Sequence, residues 1–281
     1  MINTIKSMPF KSCESDTIPT KLLKQILNKL GVVITSIVNL SLSTGTFADD
    51  WKSAIVRPLL KKHGLELTAK NYRPVSNLPF LSKVVEKCML KQFNAHCNEN
   101  NLLPDYQSAY RTNFSCETAL VKLHNDILWA MERQQTTAII AIDLSAAFDT
   151  VDHDILLDVL NKRFGISNTM LSWFDSYLRP RSLKVNVDSD YSLNKPLSFS
   201  VPQGSCAGPI LYSAYASTMQ EIVHTDIDIH GYADDHALKK SFPGSSRDRE
   251  SDTILALQNT TTVIKTWMDQ NRLKMNNEKT E

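Results

Sequence analysis

Apolar side chains recur at helical spacing in three stretches of the chain. These are Leu22, Leu23, Ile26, Leu27 and Leu30; then Leu81, Val84, Val85, Cys88, Met89 and Phe93; then Leu120, Leu123, Ile127, Leu128 and Met131. Positions three and four apart share one side of an α-helix, so each stretch predicts a helix with one apolar face. The first, starting at Thr20, is expected to end at Gly31, a residue suited to a helix terminus. The adjoining Leu30 to Leu42 is interrupted by Thr35, Ser36, Asn39 and Ser41. It falls short of the roughly 18 unbroken apolar residues of a membrane span and reads as a buried helix.

A different period marks the strands. Ser53 to Leu60 is short, carries Ile, Val and Leu and is bounded by charge, which predicts a strand. Thr136 to Ile142 is a nearly continuous run of β-type residues that stops at Asp143, the pattern of a buried central strand. Helices follow over Asp154 to Phe164, closed by Gly165, and Asn168 to Leu178, closed by Pro180, with Asp152 and Ser167 as candidate caps. Alternation over Leu183 to Val187 and Leu197 to Val201 predicts a strand pair, and Gly208 to Ile222 a helix after a Pro-Gln-Gly turn. Ile227 to Tyr232 and His236 to Lys240 flank Ala233-Asp234-Asp235, which predicts a hairpin with two carboxylates at its tip. This order fits an α+β domain with helices packed on one face of an antiparallel sheet.

Composition narrows the class of protein. The 281 residues are 42% apolar and 22% charged, an ordinary soluble globular chain rather than a disordered one. Lys6 and Pro9 fall where a secretion signal needs an apolar core, so an intracellular location, cytoplasmic or nuclear, is expected, with no membrane partner. Five cysteines with no Cys-x-x-Cys pair indicate neither a disulfide framework nor a zinc site. The net charge of +1 counts against strong unaided binding to nucleic acid. Lys52, Arg57, Lys61, Lys62, Lys70 and Arg73, with only Glu66 opposing them, form either a local phosphate track or a solvated loop.

Candidate chemistry centres on the predicted hairpin. Two adjacent carboxylates repel, and partial burial forces one to take up a proton or both to share a cation. If the hairpin lies beside the strand that ends in Asp143, three oxygen ligands meet, a set that suits Mg²⁺. Two such ions activate an attacking hydroxyl and stabilise the leaving oxygen of a phosphoryl displacement. Asp-Asp also occurs in ordinary turns, so the pair by itself leaves a solvated turn open.

Seven ordered blocks carry more information than the pair. They are Trp51-Lys52-Ser53-Ala54 with Pro58-Leu59-Leu60-Lys61-Lys62; Asn71-Tyr72-Arg73-Pro74-Val75-Ser76-Asn77-Leu78; Gln107-Ser108-Ala109-Tyr110-Arg111; Asp143-Leu144-Ser145-Ala146-Ala147-Phe148-Asp149; Val201-Pro202-Gln203-Gly204-Ser205; Tyr232-Ala233-Asp234-Asp235; and Asn271-Arg272-Leu273-Lys274-Met275-Asn276 leading to Lys279-Thr280. In this order they resemble the reverse transcriptases of non-LTR, LINE-type retrotransposons, over nearly the whole chain.

The resemblance implies a right-hand polymerase of the α+β class, with fingers, an antiparallel palm sheet, and no thumb before Glu281. It divides the chain into a helical extension over 1–50, fingers over 51–135, and a palm over 136–281 interrupted by a fingers segment at about 165–198. It implies RNA-directed DNA synthesis with an RNA template, a DNA primer and deoxynucleotides as partners, two Mg²⁺ or Mn²⁺ ions as cofactors, and thumb and endonuclease regions from a longer polyprotein. By position, Asp143, Asp234 and Asp235 match the metal ligands. Phe148 matches the aromatic that selects against a 2′-hydroxyl, Gln203 and Gly204 the loop that places template base and nucleotide, and Arg111 a clamp on the triphosphate. Arg73 matches a template or fingers contact and Lys279 a general acid for pyrophosphate. The sequence departs from the family pattern at Cys116, Cys206 and Ala207, near the nucleotide and template positions. A silent remnant and a maturase-like RNA-binding module stay open beside the active polymerase.

Overall fold

The computed structural model describes all 281 residues. The helices are α1 (Ile2–Ser7), α2 (Thr20–Gln25), α3 (Leu27–Thr44), α4 (Phe80–Glu99), α5 (Cys116–Glu132), α6 (His153–Lys162), α7 (Asn168–Leu178), α8 (Gly208–Tyr215) and α9 (Arg247–Gln270). The strands are β1 (Ser53–Leu60), β2 (Tyr72–Asn77), β3 (Gln135–Ile142), β4 (Arg181–Val187), β5 (Asp190–Tyr191), β6 (Lys195–Leu197), β7 (Asp228–Tyr232) and β8 (Asp235–Pro243). The chain forms two compact units, each discontinuous in sequence. One is Met1–Asn100 with Asp152–Gly208, the other Asn101–Val151 with Pro209–Glu281.

The first unit is built on a sheet of order β2-β1-β4-β5, with β6 also on β4. Its β1 and β4 run parallel from Ser53↔Ser182, whereas its other pairs are antiparallel. The predicted partner of β4 is present but shorter and earlier, at Lys195–Leu197 rather than Leu197 to Val201. Aromatic rings fill the core, with Phe47 edge-on to Trp51, Trp173 and Tyr177 at 5.4, 5.5 and 5.1 Å.

Helix α3 departs from the sequence reading twice. It runs through Gly31 and ends at Gly45, whose φ of +68° is the left-handed conformation a glycine adopts freely. Gly31 serves close packing instead: a Cβ there would sit 3.2 Å from Ile2 Cδ1. The helix is also not wholly buried. Leu27, Gly31, Ile34, Val38 and Ser41 form an inward stripe, while Val32, Val33 and Leu40 are exposed. With 18 residues and a mean hydropathy of 1.2 it is long and apolar enough to cross a membrane by length and composition, which counting unbroken apolar runs missed. In this fold the stripe packs on α7 and α4, and Trp173 Nε1 donates to Ser41 Oγ at 3.0 Å. Asp152 caps α6 as expected, accepting from the amides of Asp154 and Ile155, but Ser167 makes no side-chain cap on α7.

The second unit holds the three-stranded antiparallel sheet β3-β8-β7, on which α5 and α9 pack. The expected central strand, β3, lies at an edge; β8 is central and pairs with β3 from Gln135↔Pro243 to Ile142↔His236. The free side of β3 does not stay unpaired at its C-terminal end, where Ala141 and Glu281 exchange two backbone hydrogen bonds of 2.7 and 3.0 Å. Periodicity cannot reveal this, because the covering segment lies well over a hundred residues away in sequence. In α5 the apolar Leu120, Leu128 and Met131 are exposed. The helix instead turns Asp126 to Lys239 of β8 and His230 of β7, at 3.2 Å from each.

Candidate active site

The tip of the β7–β8 hairpin is a two-residue loop. Tyr232↔Asp235 is the last ladder pair, which leaves Ala233 and Asp234 to make the turn. Ala233 has φ +60°, a conformation that costs a non-glycine residue about 1 kcal/mol or more. Its backbone finds partners in a side chain: the buried Gln107 accepts from the Ala233 amide at 2.9 Å and donates to the Ala233 carbonyl at 3.0 Å.

Asp143 directly follows the last residue of β3. Because Ile142 is paired with His236, Asp143 comes beside Asp235 although the two aspartates are 92 residues apart in sequence. Its carboxylate accepts from Asn276 Nδ2 at 2.7 Å, and Lys279 Nζ stands 3.8 Å away. Partial desolvation, followed by the charges of Asp234 and then Asp143, pushes the Asp235 carboxyl above the ordinary carboxylate range, and Lys279 offsets only part of this. The three aspartates thus share one field of excess negative charge. Their oxygens are the donor set of a hard divalent cation, which would relieve the repulsion. No three His, Cys, Asp or Glu side chains are arranged as a ready-made metal cage; the Lys279 ammonium is the cation at Asp143.

Aromatic groups border the carboxylates. Phe148 is half-buried and stacks on Tyr212, centroids 4.9 Å apart. Tyr212 is fully buried, and burial together with Asp234 drives its hydroxyl pKa well up. Tyr110, at φ +62°, is pushed up to about 12 by burial, then by Asp234 and Tyr232. Arg111 turns its guanidinium to the carbonyls of Pro104 and Gln107, at 3.2 and 3.3 Å, and lies over Phe114.

A family model described as "Reverse transcriptase (RNA-dependent DNA polymerase)" matches residues 60–281. The chain belongs to the reverse transcriptase family. It is 29% identical over 287 residues to the probable RNA-directed DNA polymerase from transposon BS of Drosophila melanogaster, matching 100% of this chain and 31% of that protein. It is likewise 29% identical to the RNA-directed DNA polymerase from mobile element jockey of the same organism, matching 99% of this chain and 30% of that protein. The chain therefore spans about a third of the length of these relatives. Among solved structures it is similar in fold to an apo telomerase from Candida tropicalis truncated from its C-terminal domain. The TM-score is 0.56 at 14% identity, covering 89% of this chain and 54% of that one. The expected α+β class is the one observed, in a fold similar to that telomerase's, although the first unit's sheet contains the parallel pair β1–β4 where an antiparallel sheet was expected.

Three candidate residues of this reverse transcriptase chain lie in the first unit. Arg73 is exposed on β2, opposite Leu59 of β1. Gln203 and Gly204 sit against Ser76 of the same strand: Ser76 N–H donates to the Gln203 carbonyl at 2.7 Å, and a Cβ on Gly204 would come within 2.5 Å of Ser76 O. Just beyond, the Glu86 carboxylate accepts from the amides of Cys206 and Ala207 at 2.6 and 2.9 Å. Burial raises the Glu86 pKa while these amides, Ser82 and the Arg181 charge oppose the rise. The departures at Cys206 and Ala207 therefore leave the loop anchored through backbone groups that any residue but proline supplies.

Sequence reasoning missed Gln107, Asn276, Tyr212 and Glu86. The first two were visible inside the Gln-Ser-Ala-Tyr-Arg and Asn-Arg-Leu-Lys-Met-Asn blocks. Neither block says which backbone groups its side chains meet. Tyr212 and Glu86 read as ordinary members of helical runs.

Proposed function

We propose that this chain is the fingers-and-palm region of a LINE-type, non-LTR reverse transcriptase, adding deoxynucleotides to a DNA primer on an RNA template. The observation that carries the reading is the meeting of Asp143 with Asp234 and Asp235 at the end of β3 and the hairpin tip. In right-hand terms the β3-β8-β7 sheet is the palm, and the sheet of the first unit belongs to the fingers. The greater length of the relatives supports a longer polyprotein; in this reading that polyprotein supplies thumb and endonuclease and works inside the cell.

Two Mg²⁺ ions, or Mn²⁺, held by Asp143, Asp234 and Asp235 would lower the pKa of the primer hydroxyl and stabilise the leaving pyrophosphate. Asn276 keeps one lobe of Asp143 oriented through its 2.7 Å bond. Lys279, exposed and 3.8 Å from Asp143, can leave that carboxylate and give a proton to the departing pyrophosphate. Phe148, braced by Tyr212, presents a ring against the 2′ position of the incoming sugar. Gln203 and Gly204 place the template base, and Arg111 reaches the triphosphate by giving up its two carbonyl contacts.

The test is extension of a labelled DNA primer on an RNA template with deoxynucleotides and Mg²⁺, for the chain and for its Asp234→Asn, Asp235→Asn double variant. Incorporation by the first and not the second supports the proposal. Folded protein that binds RNA without incorporation selects an RNA-binding module, and folded protein that does neither selects a silent remnant.

A further inference from the structure

We infer that Gln107 is the positioning residue of the carboxylate hairpin, a clamp that sets where Asp234 and Asp235 point. The inference rests on the polymerase reading of those aspartates and adds to it a residue with no contact to substrate. Ala233 lies beyond the last ladder pair, so no strand partner can satisfy its N–H and C=O. One carboxamide does both, and the same Oε1 also accepts from the Ala109 amide at 3.0 Å. A planar amide bound at three points has no freedom to rotate, so the left-handed turn at Ala233 is held from outside the hairpin.

The clamp is itself held. Gln107 is 2% exposed, and the adjoining backbone is stitched to β7 by Ser108 N–H to Gly231 O at 2.9 Å and Gly231 N–H to Tyr106 O at 2.8 Å. Gly231 makes room for it: a Cβ there would fall 2.9 Å from the Tyr106 ring and 3.2 Å from Gln107 Nε2. Sheet, loop and amide therefore form one rigid support ending at the residue directly before the two aspartates. Its role in catalysis is indirect, through the geometry of the carboxylates, since catalytic groups lose rate steeply when misplaced by even about 1 Å.

The experiment compares the full chain with Gln107→Met, which keeps length and apolar volume but no hydrogen bond, and Gln107→Glu, which keeps the acceptor and loses the donor. Amide exchange of the 228–243 segment, thermal melting, and steady-state primer extension against Mg²⁺ and deoxynucleotide are measured on each. For Gln107→Met the expected result is exchange about tenfold faster around Ala233, kcat lower by about tenfold or more, a raised Mg²⁺ requirement, and nucleotide KM within about threefold of the original. Gln107→Glu should fall between. Unchanged exchange at Ala233, or unchanged kcat in folded Gln107→Met, overturns the inference; so does a loss that follows melting alone. If the unaltered chain folds but extends no primer, the polymerase reading fails, and the exchange result still decides whether the clamp exists.

Discussion

Asn276 binds Asp143 twice, its Nδ2 donating to the carboxylate at 2.7 Å and its backbone N–H to the carbonyl at 2.9 Å. The second bond survives any substitution at position 276 except proline, so side-chain variants test orientation of the carboxylate alone. Asn276→Ala removes one charge-assisted hydrogen bond, about 1.5–3 kcal/mol. Primer extension should fall by roughly tenfold or more while the melting temperature moves by only a few degrees. Asn276→Asp adds a fourth carboxylate and should fall further at low Mg²⁺ and recover in part at high Mg²⁺. Full activity in Asn276→Ala would remove this residue from the site.

Gly204 has φ +117° and backs onto the Ser76 carbonyl, which an added Cβ would approach to 2.5 Å. That distance involves backbone on both sides, so neither can yield cheaply. Gly204→Ala is expected to cost about 2 kcal/mol or more and to move Gln203 with it. Chemical denaturation gives the first number and nucleotide KM the second. A variant as stable as the original would mean that the loop can shift without penalty.

Two buried imidazoles are expected to make the fold acid-sensitive. His236 is held down to about 4 by burial, with Nδ1 3.1 Å from the Asp234 carbonyl. His153 is also lowered, chiefly by burial, with Nε2 2.8 Å from the Ser200 carbonyl. A base with a depressed folded pKa binds fewer protons folded than unfolded, so stability is complete above the ordinary value of 6.5 and is lost as pH falls toward about 4. At pH 5 the stability lost through His236 alone is on the order of 2 kcal/mol. His236→Gln and His153→Gln should each flatten the decline of melting temperature over that range; an unchanged slope in both would show that other groups drive acid unfolding.

Thiol reactivity should separate the cysteines sharply. Burial pushes Cys97 up to about 12 and Cys206 up to about 11, and raises Cys88, whereas Cys116 is exposed at the start of α5. At pH 8 the thiolate fraction of Cys97 and Cys206 is negligible. Alkylation of the native chain followed by peptide mapping should mark Cys116 first, with Cys97 and Cys206 modified only after denaturation. Rapid native labelling of Cys206 would show that the loop anchored by Glu86 opens readily.

The candidate site was legible where its residues lie in short ordered blocks. Asp143, Asp234 and Asp235 stand out because adjacent carboxylates on a hairpin and an aspartate at a strand end are local patterns, although an ordinary turn fits the pair as well, and Phe148 stands out only through the resemblance of its block. Most of the chain's helices and strands were legible in outline for the same reason, side-chain period being a property of neighbours in sequence, whereas α1, α9, β2 and β5 were given no bounds from it. Residues acting through a distant backbone group, such as Gln107 on Ala233, Glu86 on Ala207 and Asn276 on Asp143, carry no such signal.

The sequence by itself determined the α+β class, the hairpin with its two carboxylates, the strand that delivers Asp143, and membership of a polymerase family. Only the tertiary structure decided that β3 is an edge strand whose C-terminal end pairs with Glu281 through Ala141, that Gly31 serves helix packing while Gly45 ends the helix, and that a buried glutamine holds the turn before the aspartates. The physical reason is that local periodicity and turn chemistry act over a few residues, whereas strand order, edge protection and the partners of a turn's backbone are settled by which distant segments can satisfy hydrogen bonds and fill space together.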